Sequence, residues 1–251
     1  MALHPMRGVV VALALGAFAS ACSSDGGAHA VVEGGDYQRV TLEAFGYWGG
    51  SFEWSAPREA LTPAQRDALS HATVVKGMED CTQDLLEYTL SVVDAAGVEQ
   101  AQHGNEHDAT CGRREGVVSY ASLQPLLAEL HCVGTGQART SLAEAQTVQA
   151  GDGCRHGLFS SSDQPPSWLK VQPAGTGLHT FTLASCAGKV TALELFDASG
   201  TTRLAEVRSE GPDCPTLTHP LDAGTLYALR VTSQAVTVGG HVLLEVQAAP
   251  R

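Results

Sequence analysis

Apolar and polar residues alternate along several short segments in the first half of the chain, which is the pattern of half-buried strands. The alternation runs through residues 40–44 and 52–54, and again through 86–92 and 98–103. Glycine-containing segments separate the two members of each pair, as in hairpin turns. The pattern therefore predicts two β-hairpins in this half of the chain.

Two short helices are predicted among these strands. Thr62 and Gln65 have the spacing of a capping box, which places a helix start at this point and a helix over 61–71. A second helix is predicted over 122–130. The order is ββαββα, so we predict an α+β domain over residues 37–132.

The second half of the chain reads differently. Residues 133–163 are rich in Gly, Thr, Ser and Asp and carry little pattern, so they are predicted to be a linker. Short apolar-alternating segments then follow one another, which predicts an all-β sandwich over residues 164–251. The predicted strands are 178–183, 190–196, 217–221, 226–231 and 241–246.

The N-terminus has the pattern of an export signal. Residues 1–21 contain an arginine, a short apolar run and a small-residue end, which together predict a signal peptide. The small residues before Cys22 resemble a bacterial lipobox, and this resemblance implies a lipid on Cys22. Ordinary cleavage after Ala21 is the alternative. Residues 22–36 are rich in glycine and small residues, so they are predicted to be a flexible tether.

The cysteine count agrees with export. The chain has seven cysteines, and six remain when Cys22 carries a lipid. An even number is typical of proteins from oxidising compartments. The six allow 15 pairings. Locality favours three disulfides: Cys81–Cys111, Cys132–Cys154 and Cys186–Cys214.

Charge and missing motifs exclude several functions. The net charge of −12 leaves no basic surface for nucleic acid. The sequence lacks His-Glu-x-x-His, Gly-x-Ser-x-Gly, P-loop and Cys-x-x-Cys motifs. We therefore expect no enzyme, no catalytic residue and no cofactor.

A metal site is not expected either. His103, His107 and Asp108 are close in sequence, but Gly104 and Asn105 between them indicate a loop rather than a helix that would align ligands. Four acids at predicted strand ends are better explained as turn residues than as calcium ligands. These four are Glu194, Asp197, Asp213 and Asp222.

Residues 37–130 resemble the protealysin-inhibitor (emfourin) family, whose members inhibit thermolysin-like metallopeptidases. The resemblance rests on Gly49-Gly50 with Phe52, on the helix start at 61–65, on the strand 88–94 and on the helix at 123–130. It implies a non-enzymatic partner surface on the α+β domain.

Residues 164–247 resemble the bacterial pre-peptidase C-terminal domain, a jelly-roll-like module of secreted peptidases. The matching residues are the strand and Asp-Gly turn at 193–200 and the Ala-Gly-Thr-x-Tyr-x-x-x-Val pattern at 223–231. The resemblance implies a jelly-roll-like sandwich and no particular activity.

The turn of the first hairpin is the most contact-like feature of the first half. Aromatic side chains dominate binding hot spots, and here they flank two turn glycines. The predicted partner-contact residues are Tyr47, Trp48, Gly49, Gly50 and Phe52.

These observations predict a lipid-anchored, non-enzymatic protein of the bacterial cell envelope that faces the periplasm or the cell exterior. By the first resemblance, it binds and inhibits a secreted metallopeptidase. The alternative is a surface or carbohydrate-binding sandwich with a structural first domain, which exposed aromatic residues on a concave sandwich face would favour.

Overall fold

The computed structural model describes residues 28–32, 37–46, 51–82, 85–111, 116–134, 140–160, 165–184, 191–209, 213–233 and 240–248. Most of these residues lie in strands, and the two described α-helices are short. The first half contains β1 (His29–Ala30), β2 (Tyr37–Phe45), β3 (Phe52–Pro57), a 3-10 turn (Arg58–Ala60), α1 (Pro63–Ser70), β4 (Thr73–Val75), β5 (Met78–Glu79), β6 (Glu87–Asp94), β7 (Glu99–Asn105), β8 (Ala109–Thr110), β9 (Val117–Val118) and α2 (Tyr120–Glu129).

The second half consists of strands. They are β10 (Thr147–Val148), β11 (Cys154–Ser160), β12 (Ser167–Val171), β13 (Gly177–Ala184), β14 (Thr191–Phe196), β15 (Arg203–Ser209), β16 (Thr216–Leu221), β17 (Tyr227–Ser233) and β18 (Gly240–Ala248).

The first-half sheet has the antiparallel order β3-β2-β6-β7. Leu42 of β2 lies opposite Trp54 of β3 on one side and opposite Leu90 of β6 on the other. All three side chains are fully buried. Leu69 of α1 and Leu123 of α2 belong to the same core cluster, so both helices pack against this row.

The two helices begin for different reasons. At α1 the Thr62 hydroxyl accepts a hydrogen bond from the Gln65 amide at 3.1 Å, and the Gln65 side chain accepts one from the Thr62 amide at 3.0 Å. This is the predicted capping box. At α2 the cap comes from a distant residue, because Asp108 Oδ1 accepts from the Tyr120 amide at 2.6 Å. Asp108 adopts a positive φ of 52°.

The second half is a β-sandwich. One sheet has the order β10-β12-β17-β14-β15, and the other contains β16-β13-β18-β11. Buried residues of both sheets, such as Phe181, Leu193, Leu229 and Leu244, form one core cluster. The antiparallel pairs are nested: β11 with β18, β12 with β17, β13 with β16, and β14 with β15. A long hairpin rolled up in this way is a jelly roll.

Strand β11 joins the two halves, although it lies in the segment that the sequence predicts to be a linker. It pairs with β18 on one side and with β3 on the other, so one eight-stranded sheet runs through both halves. The Cys132–Cys154 disulfide is attached at its first residue. The segment 133–163 also contains β10, which pairs with β12. The structure therefore differs from a pattern-free linker.

Part of the predicted tether is also structured. Strand β1 pairs with β4. The Val31 amide donates to the Ala72 carbonyl at 2.9 Å, and Val31 and Val32 pack against the first core. Two adjacent apolar side chains gain more by burial than by remaining in water. The rest of the predicted tether, and the predicted signal peptide with Cys22, lie outside the described residues.

Candidate functional site: a groove lined by arginines

A groove of about 770 Å³ opens at one end of the first-half sheet. Strand β2 begins here, β3 ends here and runs into the 3-10 turn, and β6 approaches its end. Helix α1 adds one side chain, that of Arg66. The lining residues are Tyr37, Gln38, Arg39, Pro57, Arg58, Glu59, Arg66 and Val93.

Three exposed arginines converge on this groove. Arg39 Nη1 donates to the Ser55 hydroxyl at 3.4 Å. Arg66 Nη1 donates to the Leu61 carbonyl at 2.7 Å. The Arg58 guanidinium lies over the Tyr37 ring, 5.4 Å from its centroid. Each guanidinium carries five N–H donors, so most of the donors in the groove are available to a ligand.

None of these three arginines forms an ion pair within the described part of the chain, and in this they differ from the described arginines of the second half. The described second-half arginines all contact glutamates. Arg155 lies 2.9 Å from Glu53, Arg203 2.6 Å and Arg208 2.7 Å from Glu206, and Arg230 2.6 Å from Glu194. Although the protein has more acidic than basic residues, the groove arginines have no carboxylate partner among the residues that the structure describes.

Tyr37 lies at the centre of the positive charge. Its side chain is buried, and burial raises the pKa of its phenol, while Arg58 and Arg66 act in the opposite direction. The phenol therefore stays protonated at neutral pH. Because Arg58 covers the ring, Tyr37 supports the charge rather than offering an open aromatic face.

Two smaller concavities adjoin the groove and share Tyr37 with it. One of about 180 Å³ is lined by Val32, Tyr37, Arg58, Arg66, Leu69 and Ser70. The other, of about 350 Å³, is lined by His29, Ala30, Val31, Val32, Tyr37, Val74, Val92, Asp94, Gln100 and Gln102. The smallest concavity shares Tyr37, Arg58 and Arg66 with the arginine groove, and it shares Val32 and Tyr37 with the other concavity. The arginine groove is thus one end of a longer recessed surface.

The chemistry of this surface is that of anion binding. Guanidinium groups pair with carboxylates or phosphates through parallel N–H donors, and their pKa keeps them charged at any physiological pH. Among the described residues, Glu59 is the one carboxylate that lines the arginine groove.

The predicted partner-contact residues are mostly not described. Tyr47, Trp48, Gly49 and Gly50 lie outside the described residues. Phe52 is described, and it is half-buried and packs against the first core. Its ring therefore supports the sheet instead of standing out toward a partner.

The structure forms two of the three predicted disulfides, Cys81–Cys111 and Cys132–Cys154. Cys214 is also disulfide-bonded, and Cys186 lies outside the described residues. Disulfides indicate an oxidising, extracytoplasmic environment. Among the described residues, no helix combines the length and apolar character that crossing a membrane requires.

The three residues weighed as zinc ligands point to separate partners. His103 Nδ1 hydrogen-bonds the Thr89 hydroxyl at 2.9 Å, and His107 Nδ1 lies 3.1 Å from Asp80 Oδ2. Asp108 caps α2.

The acids weighed as calcium ligands are likewise separate. Glu194 binds arginines, and Asp197 accepts hydrogen bonds within its own turn, where the Ser199 hydroxyl is the main cause that lowers its pKa to about 2. Asp213 and Asp222 are exposed.

One group of three potential metal ligands occurs in the described part of the chain: Asp152, Cys154 and His156. The Val133 amide donates to His156 Nδ1 at 3.1 Å, so the imidazole proton of the neutral ring is on Nε2. A zinc-binding histidine has the opposite arrangement, with its second nitrogen donating. The Cys154 sulfur is also engaged in a disulfide. Asp152 and His156 are therefore a buried polar pair beside a disulfide rather than part of a metal centre.

Burial shifts the pKa values of both members of this pair. His156 Nε2 and Asp152 Oδ2 lie 3.5 Å apart, and neither atom has a hydrogen-bond partner within the described residues. Burial lowers the pKa of His156 to about 4 and raises the pKa of Asp152 to about 6. Both groups are close to neutral near pH 5.

Comparisons with known proteins give little beyond this. No protein-family model matches the chain, and no curated protein is similar to it. A solved structure described as CBM51-2 in complex with GlcNAc and INT domains from Clostridium perfringens ZmpB is similar at 11% identity and a TM-score of 0.26. The similarity covers 77% of this chain and 44% of that chain, so the chain spans less than half its length.

Proposed function

We propose that the protein is a lipid-anchored, non-enzymatic binding protein of the cell envelope, and that the arginine groove is its ligand site. The observation that carries this proposal is that Arg39, Arg58 and Arg66 form no ion pair with any described residue. Exposed cations that converge without a described carboxylate partner, in a chain of net charge −12, are best explained by an anion that binds there.

The expected affinity comes from short-range contacts. Hydrogen bonds to charged groups contribute about 1.5–3 kcal/mol each. Long-range attraction contributes little, because the acidic protein as a whole repels an anion and salt screens exposed charges beyond about 10 Å. We therefore expect modest affinity that falls with added salt and that depends on guanidinium geometry.

The test is a calorimetric titration of the full chain with anionic oligomers at low and high salt. The full chain carries Cys22→Ala so that no lipid is attached. We expect binding that Arg58→Gln together with Arg66→Gln weakens at least tenfold. Lys170→Gln is the control for a lost positive charge outside the groove, because Lys170 lies on the sandwich, where it contacts the Ala143 carbonyl. Equal binding by all variants contradicts the proposed site.

The lipid anchor is tested separately. Cys22→Ala should move the protein from the membrane fraction to the soluble fraction, because two or more acyl chains hold a protein far more firmly than one. Mature wild-type protein that is soluble and begins at an unmodified Cys22 contradicts the anchor.

Two other functions remain untested predictions. Peptidase inhibition depends on the turn at residues 47–50, and no described residue favours it. Exposed aromatic rings on a sandwich face would favour carbohydrate binding there. Trp168 of the sandwich is instead half-buried, with the Arg230 guanidinium 5.4 Å from its ring. Titration of a thermolysin-like metallopeptidase with the full chain tests the first function directly.

A further inference from the structure

We propose that the ligand of the arginine groove is an acidic polysaccharide, a chain of sugar units that carry carboxylates. This inference rests on the proposed function and names the class of its ligand. It depends on what surrounds the arginines, on the shape of the recessed surface and on the pairing of the strands beneath it.

The recessed surface suits an extended ligand. The three concavities that share Tyr37 follow one another, from the arginine groove, through the small one beside α1, to the one between β1 and β7. They differ in chemistry along this path. A polymer that crosses them contacts the arginines at one end and the amides of Gln100 and Gln102 at the other.

The end beside β7 suits hydroxyl groups. Gln100 and Gln102 project from β7, and neither side-chain amide has a hydrogen bond within the described residues. An amide offers both donors and an acceptor, which matches a sugar hydroxyl that both donates and accepts. Asp94 lines the same concavity, where Oδ1 already accepts from the Ala96 amide at 2.8 Å and the Val98 amide at 2.9 Å.

The arginine end suits carboxylates spaced by neutral groups. Arg58 and Arg66 offer donors for a carboxylate. Glu59 in the groove and Asp94 in the concavity beside β7 repel closely spaced negative charge. A polyphosphate carries its charges closer together than a polymer of sugar carboxylates and has no sugar hydroxyls, so it meets this repulsion without using the amides.

The strand pairing disfavours a peptide in the arginine groove. Peptides that lie along a sheet gain main-chain hydrogen bonds by adding to an edge strand. Strands β2 and β6, which form the floor, are each paired on both sides. A peptide in the arginine groove therefore finds no open edge, whereas a polysaccharide binds through side chains alone.

The experiment compares four oligomers of equal length by calorimetry, with the full chain carrying Cys22→Ala: oligogalacturonate, a neutral glucan, polyglutamate and polyphosphate. We expect oligogalacturonate to bind tightest. Arg58→Gln with Arg66→Gln should weaken it at least tenfold. Arg58→Lys, which keeps the charge but loses the fork of donors, should weaken it severalfold. Gln100→Ala with Gln102→Ala should weaken it about threefold, and Lys170→Gln should leave it unchanged.

The outcomes separate the ligand class from the site. Polyglutamate or polyphosphate that binds as tightly as oligogalacturonate, and that responds to the arginine variants, contradicts the polysaccharide and retains the anion site. Neutral glucan that binds equally well contradicts the role of the carboxylate. Binding of none of the four overturns both the ligand class and the proposed function. Circular dichroism of each variant checks that it is folded.

Discussion

The arginines of the two halves of this protein have opposite surroundings. On the sandwich, Arg230 donates two hydrogen bonds to the buried carboxylate of Glu194, at 2.6 and 2.7 Å, and lies over two aromatic rings. In the groove, Arg58 lies over Tyr37 with no carboxylate partner within the described residues. The same residue type thus completes a folded network in one place and leaves donors for a ligand in the other. Counting charges alone does not reveal this difference.

The largest expected effect is the loss of a buried partner. Glu194→Ala leaves Arg230 without its carboxylate, and Glu194 is 3% exposed, so we expect the free energy of unfolding to fall by about 3 kcal/mol. Glu59→Ala is the matched control, because Glu59 is exposed and unpaired within the described residues, and it should change stability by less than about 0.5 kcal/mol. Urea unfolding measures both. Equal losses of unfolding free energy in the two variants would contradict the difference between the paired arginine of the sandwich and those of the groove.

Asp152 and His156 lie where the two halves join, and their shifted pKa values have opposite effects on stability. The raised pKa of Asp152 stabilises the fold below its unfolded pKa, and this stability is lost as pH rises through about 6. The lowered pKa of His156 acts oppositely, with stability present above its unfolded pKa and lost as pH falls through about 4. The two contributions nearly cancel.

Asp152→Asn should reveal how His156 alone affects the pH dependence of stability. Between pH 6.5 and pH 4 we expect the variant to lose about 2 kcal/mol more unfolding free energy than the unchanged protein, at 1.36 kcal/mol per unit of pKa. Urea unfolding across this pH range measures the difference, and Asp213→Asn, an exposed acid on the sandwich, is the control. Parallel pH profiles would show that the pair is not buried as described.

A smaller effect is expected at the groove. Arg58→Gln removes a cation from the Tyr37 ring, which is an exposed contact that contributes about 0.5–1 kcal/mol. Arg230→Gln leaves Glu194 buried and without its bidentate partner, and should cost several times as much. Denaturant unfolding of the two variants measures the difference in their loss of stability. A groove variant as damaging as the sandwich variant would indicate that Arg58 is structural.

Sequence patterns predicted the regular parts of the fold. The alternation at 40–44 and 86–92 corresponds to β2 and β6, and the Thr62 and Gln65 spacing corresponds to the start of α1. These signals are local, because a strand face or a cap depends on residues a few positions apart.

The parts that the sequence did not predict depend on distant segments. Strand β11 lacks alternation because it is central in a sheet that spans both halves, with Gly157 and His156 both buried. The α2 cap comes from Asp108, which no local pattern marks. The groove combines Arg39, Arg58 and Arg66 from three elements. Their importance lies in the lack of carboxylate partners within the described part of the chain, which only the folded arrangement shows.

Anion binding at the arginine groove is tested most directly by the thermal unfolding of two proteins, each with and without oligogalacturonate. The two are the full chain carrying Cys22→Ala and the same chain with Arg58→Gln and Arg66→Gln. A ligand that binds only the folded state raises the midpoint of unfolding. We expect the ligand to raise Tm of the first protein and not of the second, while their ligand-free midpoints differ by only a few degrees. An equal rise in both, or a ligand-free variant that is strongly destabilised, would contradict it.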